Sequence, residues 1–232
     1  DLAPTQNGAL IWNPASNVSQ LAACKLEDTN PQIFAVDQPY IQDQGNLTIY
    51  GLGFGVYDPD NTRSAVWLGD NRLDVVSWTD RQIVATVGRN VDPGPRQLQI
   101  VAGNNQTTVN GLTIHVLRTP NNPNQTAYQP NLYEVGPGRP YDPADYPHPG
   151  LGPIQAAIDD AWASGGENLV VVYPGAVIPF TNPLGFYLEN PVIYSPVKLQ
   201  GIGPGGVYTD GTGIQGTILD GRGVGGNELY AE

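Results

Sequence analysis

Residues 197–206, VKLQGIGPGG, decide between two kinds of fold. A strand-like run leads into Gly201, Gly203 and Gly206, whose spacing satisfies G-x-G-x-x-G, the loop pattern of dinucleotide-binding proteins. In those proteins the loop opens a helix, whose free N–H groups hold the phosphate. The run that follows here, VYTDGTGIQGTILDG, contains four further glycines and three β-branched threonines, which oppose a helix. The pattern therefore predicts a corner between β-strands.

An acidic residue about 20 positions after such a loop would complete a nucleotide site. Asp220 and Glu228 stand at that distance from Gly201 and Gly206, but a match in spacing without a helix is weak evidence. We therefore expect no cofactor. Instead, we expect these glycines to provide positive-φ geometry where the chain turns between stacked strands.

One helix is predicted ahead of this loop, over residues 153–164, PIQAAIDDAWAS. A proline suits its first turn, two glycines follow its end, and four apolar side chains share one face at helical spacing: Ile154, Ala157, Ile158 and Ala161. Asp159 and Asp160 are adjacent and diverge around a helix. A solvated face is therefore a better interpretation of this pair than acid–base chemistry.

The segments after the helix are short, β-branched and separated by Gly, Pro and Asn: NLVVVYPG, FYLENPVIYSP, VKLQGIGPGG and GTILDGRG. They recur about every 20 to 26 residues, a period within the range of solenoid repeats. With the helix, their order over residues 153–223 resembles the N-terminal cap and first turns of a right-handed parallel β-helix, as in the pectate-lyase-like superfamily. This resemblance implies that the helix covers the open end of the solenoid.

Residues 31–117 follow a different pattern, in which short runs such as QIVATV and RQLQIV alternate apolar and polar residues and turns such as DPGPR separate them. Short strands at nearly even spacing are typical of a β-sandwich. The alternation lets each strand turn one face to a core and the other to water.

The same residues resemble an IPT/TIG immunoglobulin-like domain. The resemblance rests on PQIFAVDQP, LTIYGLGFG, VWLGD, VVSWTDRQIVATV, DPGPRQLQIV and LTIHVL, and its most specific element is the strand that ends in the G-x-G-F-G turn. It implies a spacer or adhesive module of an extracellular protein, in some cases one that mediates dimerisation or ligand contact. It provides no catalytic residue.

Together these patterns predict a mainly β protein, with an immunoglobulin-like β-sandwich plus a truncated parallel β-helix that has one N-terminal capping helix. We expect four segments: an N-terminal leader at 1–30, the sandwich at 31–117, a linker rich in Pro, Asn and Gly at 118–152, and the start of the β-helix at 153–232, with its helix cap at about 153–164.

Few side chains are candidates for chemistry. Asp142, Asp145 and His148 would be a metal cluster if they converged, but they lie among prolines without a second histidine nearby, so an ordinary linker is favoured and any metal site is unknown. His115 lies in the alternating run LTIHVL, where a strand surface residue is favoured over a base.

Asp210 and Asp220 precede glycines, in TDGTG and LDGRG. Aspartate before glycine is ordinarily turn chemistry, although both side chains would line the beginning of a groove if the solenoid continued. The sequence therefore predicts no catalytic residue.

Composition and charge exclude several partners. The formal net charge is −12, with only 10 Lys and Arg, so the basic stripe that nucleic acids and anionic membranes require is missing. Cys24 is the single cysteine, which excludes a disulfide within the chain, and its partner, if any, is not defined. Met is absent throughout, position 1 included, and no segment is apolar enough to span a bilayer. We expect an exported protein whose signal peptide has been removed.

These features favour an extracellular structural or adhesive module that is the N-terminal part or one subunit of a larger surface or secreted assembly. The expected partner is the remainder of the β-helix, or another chain that stacks on its open C-terminal end; polysaccharide is a further candidate. The alternative is the non-catalytic N-terminal portion of a β-helix carbohydrate-active enzyme, a polysaccharide lyase or glycoside hydrolase, whose active site would lie beyond Glu232. Whether the chain belongs to an enzyme stays open. In either case residues 153–232 should not fold alone.

Overall fold

The computed structural model describes residues 30–58, 64–119, 127–146, 152–179 and 182–221. The chain divides into two compact units, Asp1–Asn30 and Pro31–Glu232, and the fold given below is that of the second unit. Nearly all of the predicted leader segment, with Cys24, lies outside the described residues.

The first part of the second unit is built from short strands, as the alternating sequence predicts. In chain order they are β1 (Gln32–Val36), β2 (Tyr40–Gln42), β3 (Asn46–Leu52), β4 (Ala65–Leu68), β5 (Asn71–Arg72), β6 (Asp74–Trp78), β7 (Gln82–Thr86), β8 (Gly94–Val101) and β9 (Leu112–Leu117).

These strands form two sheets, with the orders β1-β3-β7-β6 and β2-β9-β8-β4-β5. Neighbours are antiparallel, apart from the parallel pair of β2 and β9. Along β3 and β7 every second residue is buried, which confirms the predicted alternation. Apolar side chains from both sheets meet in one core, for example Ile49, Ile83, Leu98 and Ile114. The two sheets therefore pack as a sandwich.

The second part of the unit contains one α-helix among the described residues and five further strands. In chain order these elements are β10 (Asn131–Val135), α1 (Pro153–Ser164), β11 (Asn168–Val172), β12 (Lys198–Gly201), β13 (Gly206–Val207) and β14 (Gly213–Ile214). The helix has the predicted bounds. β10, β11 and β12 form a parallel three-stranded sheet in that order, and β13 and β14 form a small antiparallel hairpin.

Strand β10 lies inside the segment that the sequence predicts to be a linker. Its residues pair with β11 in an unbroken parallel register from Asn131 opposite Asn168 to Val135 opposite Val172. The pairing partner stands far along the chain, so the surrounding Pro, Asn and Gly conceal the strand from a local analysis. The protein is thus mainly β with several sheets. The parallel sheet alone does not define a β-helix.

Strand β11 is buried on both faces, and its alternating side chains enter two different cores. Leu169 and Val171 belong to the core of the sandwich, together with Ile33 and Ile49. Val170 and Val172 point to the opposite face, where they meet the apolar side of α1. The parallel sheet therefore lies between the sandwich on one face and the helix on the other.

The second core consists of the buried face of α1, the helix-facing side of the parallel sheet and one tyrosine from a later loop. All four side chains predicted for the buried face of the helix are in it, at 0% exposure: Ile154, Ala157, Ile158 and Ala161. Tyr187 closes this core and donates its hydroxyl hydrogen bond to the carbonyl of Tyr173 at 2.8 Å.

Leu169→Ala is expected to lower the free energy of unfolding by about 2–5 kcal/mol, because it opens a cavity at a position with 0% exposure in the shared core. Denaturant unfolding followed by tryptophan fluorescence and circular dichroism measures the change. Leu184→Ala is the matched control: this leucine is 60% exposed, so its loss should change stability by less than about 0.5 kcal/mol.

Because β11 belongs to both cores, the sandwich and the helix should unfold in a single transition in both proteins. Two separate transitions, of which Leu169→Ala moves only one, would contradict the shared core. By the same reasoning, residues 153–232 should not give a monodisperse monomer with a cooperative melt on their own.

Candidate functional site

The glycine loop, residues 201–206, lies at the junction between the sandwich and the parallel sheet. The backbone N–H of Gly205 donates to the carbonyl of Phe34 at 2.7 Å, and the N–H of Val36 donates to the carbonyl of Ile202 at 2.9 Å. Since β1 is the outermost strand of its sheet, these bonds use backbone groups on a strand edge. The loop thus fixes the position of the second part of the unit on the sandwich.

Glycine is required at this junction for two reasons. Gly203 and Gly205 have φ values of 137° and 74°, which confirms the predicted positive-φ geometry. In addition, a Cβ atom on Gly203 would lie 2.5 Å from the carbonyl oxygen of Phe34, and one on Gly206 would overlap the Phe34 ring. The sequence indicated the turn, whereas the close approach to β1 is a tertiary contact.

The hairpin of β13 and β14 extends the same junction. The ring of Tyr208 packs against that of Phe34, with 5.4 Å between centroids, and the Arg81 guanidinium lies 4.4 Å from the Tyr208 centroid. Arg81 also donates to Asp210 at 2.5 Å. Hydrogen bonds from Thr212 and the Arg81 contact hold the pKa of the Asp210 carboxyl well below its usual range. Asp210 is therefore a turn and ion-pair residue.

A polar cluster around Glu134 is the second contact between the two parts. Glu134 Oε1 accepts hydrogen bonds from the hydroxyls of Tyr40 at 2.8 Å and Tyr173 at 2.9 Å, and from the Arg139 guanidinium at 3.2 Å. Arg139 also lies 4.0 Å from the centroid of the Tyr173 ring. Tyr40 comes from β2, whereas Glu134 comes from β10. Burial, reinforced by the carboxylate, raises the pKa of both phenols, so they remain donors at neutral pH.

His115 is placed differently from the sequence prediction. Rather than lying on a strand surface it is only 3% exposed, because Tyr128 covers it with a stacked ring and a hydroxyl 2.7 Å from Nδ1. Burial, and to a smaller extent the charge of Lys198, lowers the pKa of His115 to about 4. The prediction was wrong because the covering residue lies in the segment that follows β9, beyond any local pattern.

Glu189 caps the N-terminus of α1, a structural role that the sequence analysis did not predict. It is 7% exposed and accepts from the backbone N–H groups of Ile154 at 3.2 Å and Gln155 at 2.6 Å. Backbone N–H groups in the first turn of a helix have no acceptor within the helix, and Gly152 offers no side-chain cap for them. Glu189 provides that acceptor. Burial raises the pKa of Glu189, and the two N–H bonds partly oppose that rise. No local capping motif reveals it, since Glu189 lies far along the chain from the helix.

The predicted linker candidates do not converge on a metal site. Asp142 accepts from the backbone N–H of Ala144 at 2.9 Å and of Gly138 at 2.6 Å, and these bonds lower its pKa. Asp145 ends a short 3₁₀ turn, and His148 lies outside the described residues. Within the described ranges, no group of three or more His, Cys, Asp or Glu side chains is arranged to hold a metal ion.

The two adjacent aspartates of α1 diverge, as predicted. Asp159 accepts from the Tyr194 hydroxyl at 2.7 Å and Asp160 from the Tyr141 hydroxyl at 2.7 Å, on different sides of the helix. Asp220 engages through its backbone N–H, which donates to the carbonyl of Tyr187 at 2.8 Å. The carboxylates of Asp142, Asp159, Asp160 and Asp210 therefore support a turn cap and contacts between elements.

The fold and its junctions define a mainly β protein whose sandwich carries a second, parallel-stranded part. Residues 37–116 match the family model of the IPT/TIG domain. The chain therefore contains an IPT/TIG domain, which confirms that part of the sequence prediction. IPT/TIG domains are commonly extracellular or adhesive modules. In the part of the chain that is described, no helix is long and apolar enough to cross a membrane.

Solved structures match only part of the chain. A gamma-CGTase from Alkalophilic bacillus clarkii is 27% identical over 38% of this chain and 12% of its own, with a TM-score of 0.34. A structural genomics protein of unknown function from Bacteroides thetaiotaomicron is 13% identical over 39% of this chain and 22% of its own, with a TM-score of 0.33. The match thus spans less than a quarter of either protein. No curated protein matches the chain significantly.

Gly203→Ala is expected to destabilise the protein by about 1–3 kcal/mol more than Gly211→Ala does. Both residues have positive φ, but a Cβ atom on Gly211 meets nothing within 4 Å, whereas one on Gly203 meets the Phe34 carbonyl. The Gly211 variant therefore measures the conformational cost alone, about 1–2 kcal/mol. Urea unfolding of both variants gives the difference. Equal losses would show that the contact with β1 contributes nothing.

His115 should make the protein less stable as the pH falls from about 6.5 to about 4, because the unfolded chain binds a proton on this histidine in that window and the folded protein does not. His115→Gln should flatten the pH dependence of the free energy of unfolding between about pH 6.5 and about pH 4. Above that window His115 is neutral in both the folded and the unfolded state, so it contributes no pH dependence there. His148→Gln is the control for the second histidine. An unchanged pH profile in the His115 variant would contradict the assignment.

Proposed function

We propose that the chain is a structural module of a larger extracellular assembly, in which the IPT/TIG domain and the parallel-stranded part act together as one rigid base. The assignment to the extracellular space follows the common use of IPT/TIG domains as extracellular or adhesive modules. The base carries the first coils of a right-handed parallel β-helix, which continues in a further part of the protein or in another chain.

The observation that carries this proposal is a second parallel contact in the same region. Besides the sheet in which Val172 pairs with Gly201, Tyr187 forms a parallel bridge with Leu219. The Tyr187 N–H donates to the carbonyl of Ile218 at 2.9 Å. Both pairings join residues about 30 positions apart, so two successive segments of the chain run over the same path. Stacked segments of similar length are what successive coils of a solenoid look like.

Hydrogen bonds of a single threonine, Thr217, support the stacking of these proposed coils. The Thr217 hydroxyl donates to the carbonyl of Val172 at 2.6 Å and accepts from the N–H of Ile202 at 3.0 Å. Its own N–H donates to the carbonyl of Gly203 at 2.9 Å. The parallel pairings of Val172 with Gly201 and of Tyr187 with Leu219 give the proposed coils a length of about 30 residues, longer than the 20 to 26 residues that the sequence suggested.

The edge of the parallel sheet offers the place for continuation. β12 is its last strand, and an open cavity of about 370 Å³ lies beside it. Leu199, Thr217 and Leu219 line this cavity, and Leu112 of the sandwich closes one side. Among the described residues, no named strand pairs with the edge of β12 that faces away from β11. A strand edge next to apolar side chains favours the addition of another strand in the same register. The expected partner is therefore a further β-helix coil or a second chain, rather than nucleic acid.

Isolation of the native protein with an antibody against residues 31–221 tests this function. The intact mass, compared with the 24.8 kDa of the chain, shows whether the chain continues into a larger parent. We expect the antigen in the surface or secreted fraction, either as a larger parent or as an assembly of several copies. The isolated material should release neither unsaturated products nor new reducing ends from polysaccharides.

The possible results separate the two hypotheses. A larger parent that cleaves a polysaccharide would replace the structural module with the N-terminal portion of a carbohydrate-active enzyme. A native protein of equal mass that stays monomeric inside cells would overturn both. A surface-bound parent or assembly without such activity supports the proposal.

A further inference from the structure

Two aromatic side chains on the outer side of α1 are exposed and in contact with each other. Trp162 is 62% exposed and Tyr194 is 52% exposed. Their ring centroids are 5.7 Å apart and the ring planes meet at 71°, so the rings form an angled pair. Large exposed aromatic surfaces in a folded protein mark contact sites, because water covers them at a cost in free energy.

Hydrogen bonds hold one member of this pair in place. The Tyr194 hydroxyl donates to Asp159 Oδ1 at 2.7 Å, and the same oxygen accepts from Gln155 Nε2 at 2.7 Å. Gln155 Oε1 in turn accepts from the backbone N–H of Val192 at 2.7 Å. The segment before β12 is thus tied to α1 through Val192 at Gln155 and through Tyr194 at Asp159. A ring that is fixed before binding loses little conformational entropy when a ligand arrives.

The pair also has polar groups at its side. Among the described residues, the contacts of Asp159 engage Oδ1, and no hydrogen bond involves the indole N–H of Trp162. Oδ2 of Asp159 is an acceptor and the indole N–H a donor. A ligand for this surface therefore needs a flat apolar face for the rings, together with hydroxyl groups that can both donate and accept. A pyranose ring has both, since its C–H groups line one face and its hydroxyls project from the edge.

The charge around the pair selects among polysaccharides. α1 carries Asp159 and Asp160 and no basic residue, and the whole chain has a net charge of −12. Uronic acid or sulfated polymers would bring further negative charge to this surface and would be repelled. Neutral sugars avoid that repulsion.

We propose that Trp162 and Tyr194, with Asp159 beside them, form a binding site for a neutral polysaccharide. The site lies on α1 and on the segment before β12, outside the residues that line the cavity beside β12. It goes beyond the structural role proposed above and does not depend on it, because a folded single chain presents the complete site. Binding would attach the module to a glycan surface.

Affinity gel electrophoresis of the purified chain tests the site, with soluble glucan, xylan and galactan as neutral probes and polygalacturonate as the anionic probe. At least one neutral polymer should retard the chain, and polygalacturonate should not. Trp162→Ala should weaken binding at least about 10-fold, as the loss of one aromatic contact of about 1.4 kcal/mol predicts. Tyr194→Phe keeps the ring but loses the bond to Asp159, so its loss of affinity should be smaller.

Val76→Ala is the matched control, since Val76 is an exposed apolar side chain, at 61%, on the sandwich. It should bind as the unaltered chain does, and circular dichroism should show that all variants remain folded. Retained binding in Trp162→Ala, equal binding of polygalacturonate, or retardation by none of the neutral polymers would overturn the site. If the unaltered chain self-associates and Trp162→Ala abolishes that association, the site is overturned too, because a second copy of the chain would then be the occupant.

Discussion

Strand β11 is the element on which the rest of the described structure depends. Its five residues are all buried, with Leu169 and Val171 in the sandwich core and Val170 and Val172 against the helix. A shift of one residue in its pairing would exchange these two sets, so its register is fixed by both cores at once. The same strand is also the central member of the parallel sheet. The sandwich, the sheet and α1 are thereby parts of one body.

Backbone and polar contacts complete what this apolar strand begins. The glycine loop bonds to the edge of β1, and Tyr40 of β2 donates across the same boundary to Glu134, which also accepts from Tyr173 and Arg139. Hydrophobic burial is not directional, whereas hydrogen bonds with fixed geometry are. These contacts therefore determine the orientation of the two parts, and the coils proposed to extend from β12 would inherit that orientation. The angled pair of Trp162 and Tyr194 is held on the outside of the same base.

The parts of the fold that local patterns encode were predictable. Alternation in the sandwich strands and the apolar face of residues 153–164 depend on neighbours within a few positions, and both patterns are present in the structure. The features that the sequence analysis missed depend on partners far along the chain. β10 is a strand because β11 pairs with it, His115 is buried because Tyr128 covers it, and Glu189 caps a helix by bonding to Ile154, 35 residues earlier. Periodicity contains no record of such partners.

By itself, the sequence determined the mainly β class, the IPT/TIG resemblance, the bounds of α1 and the need for glycine at the 201–206 loop. Each follows from short-range sterics or from the period of apolar residues. Only the tertiary structure decided what that loop does. Its glycines are needed for the turn and also for the approach of a second chain segment, since a Cβ atom on Gly203 would strike the carbonyl of Phe34. The physical reason is that close packing between distant segments arises only after the chain has folded.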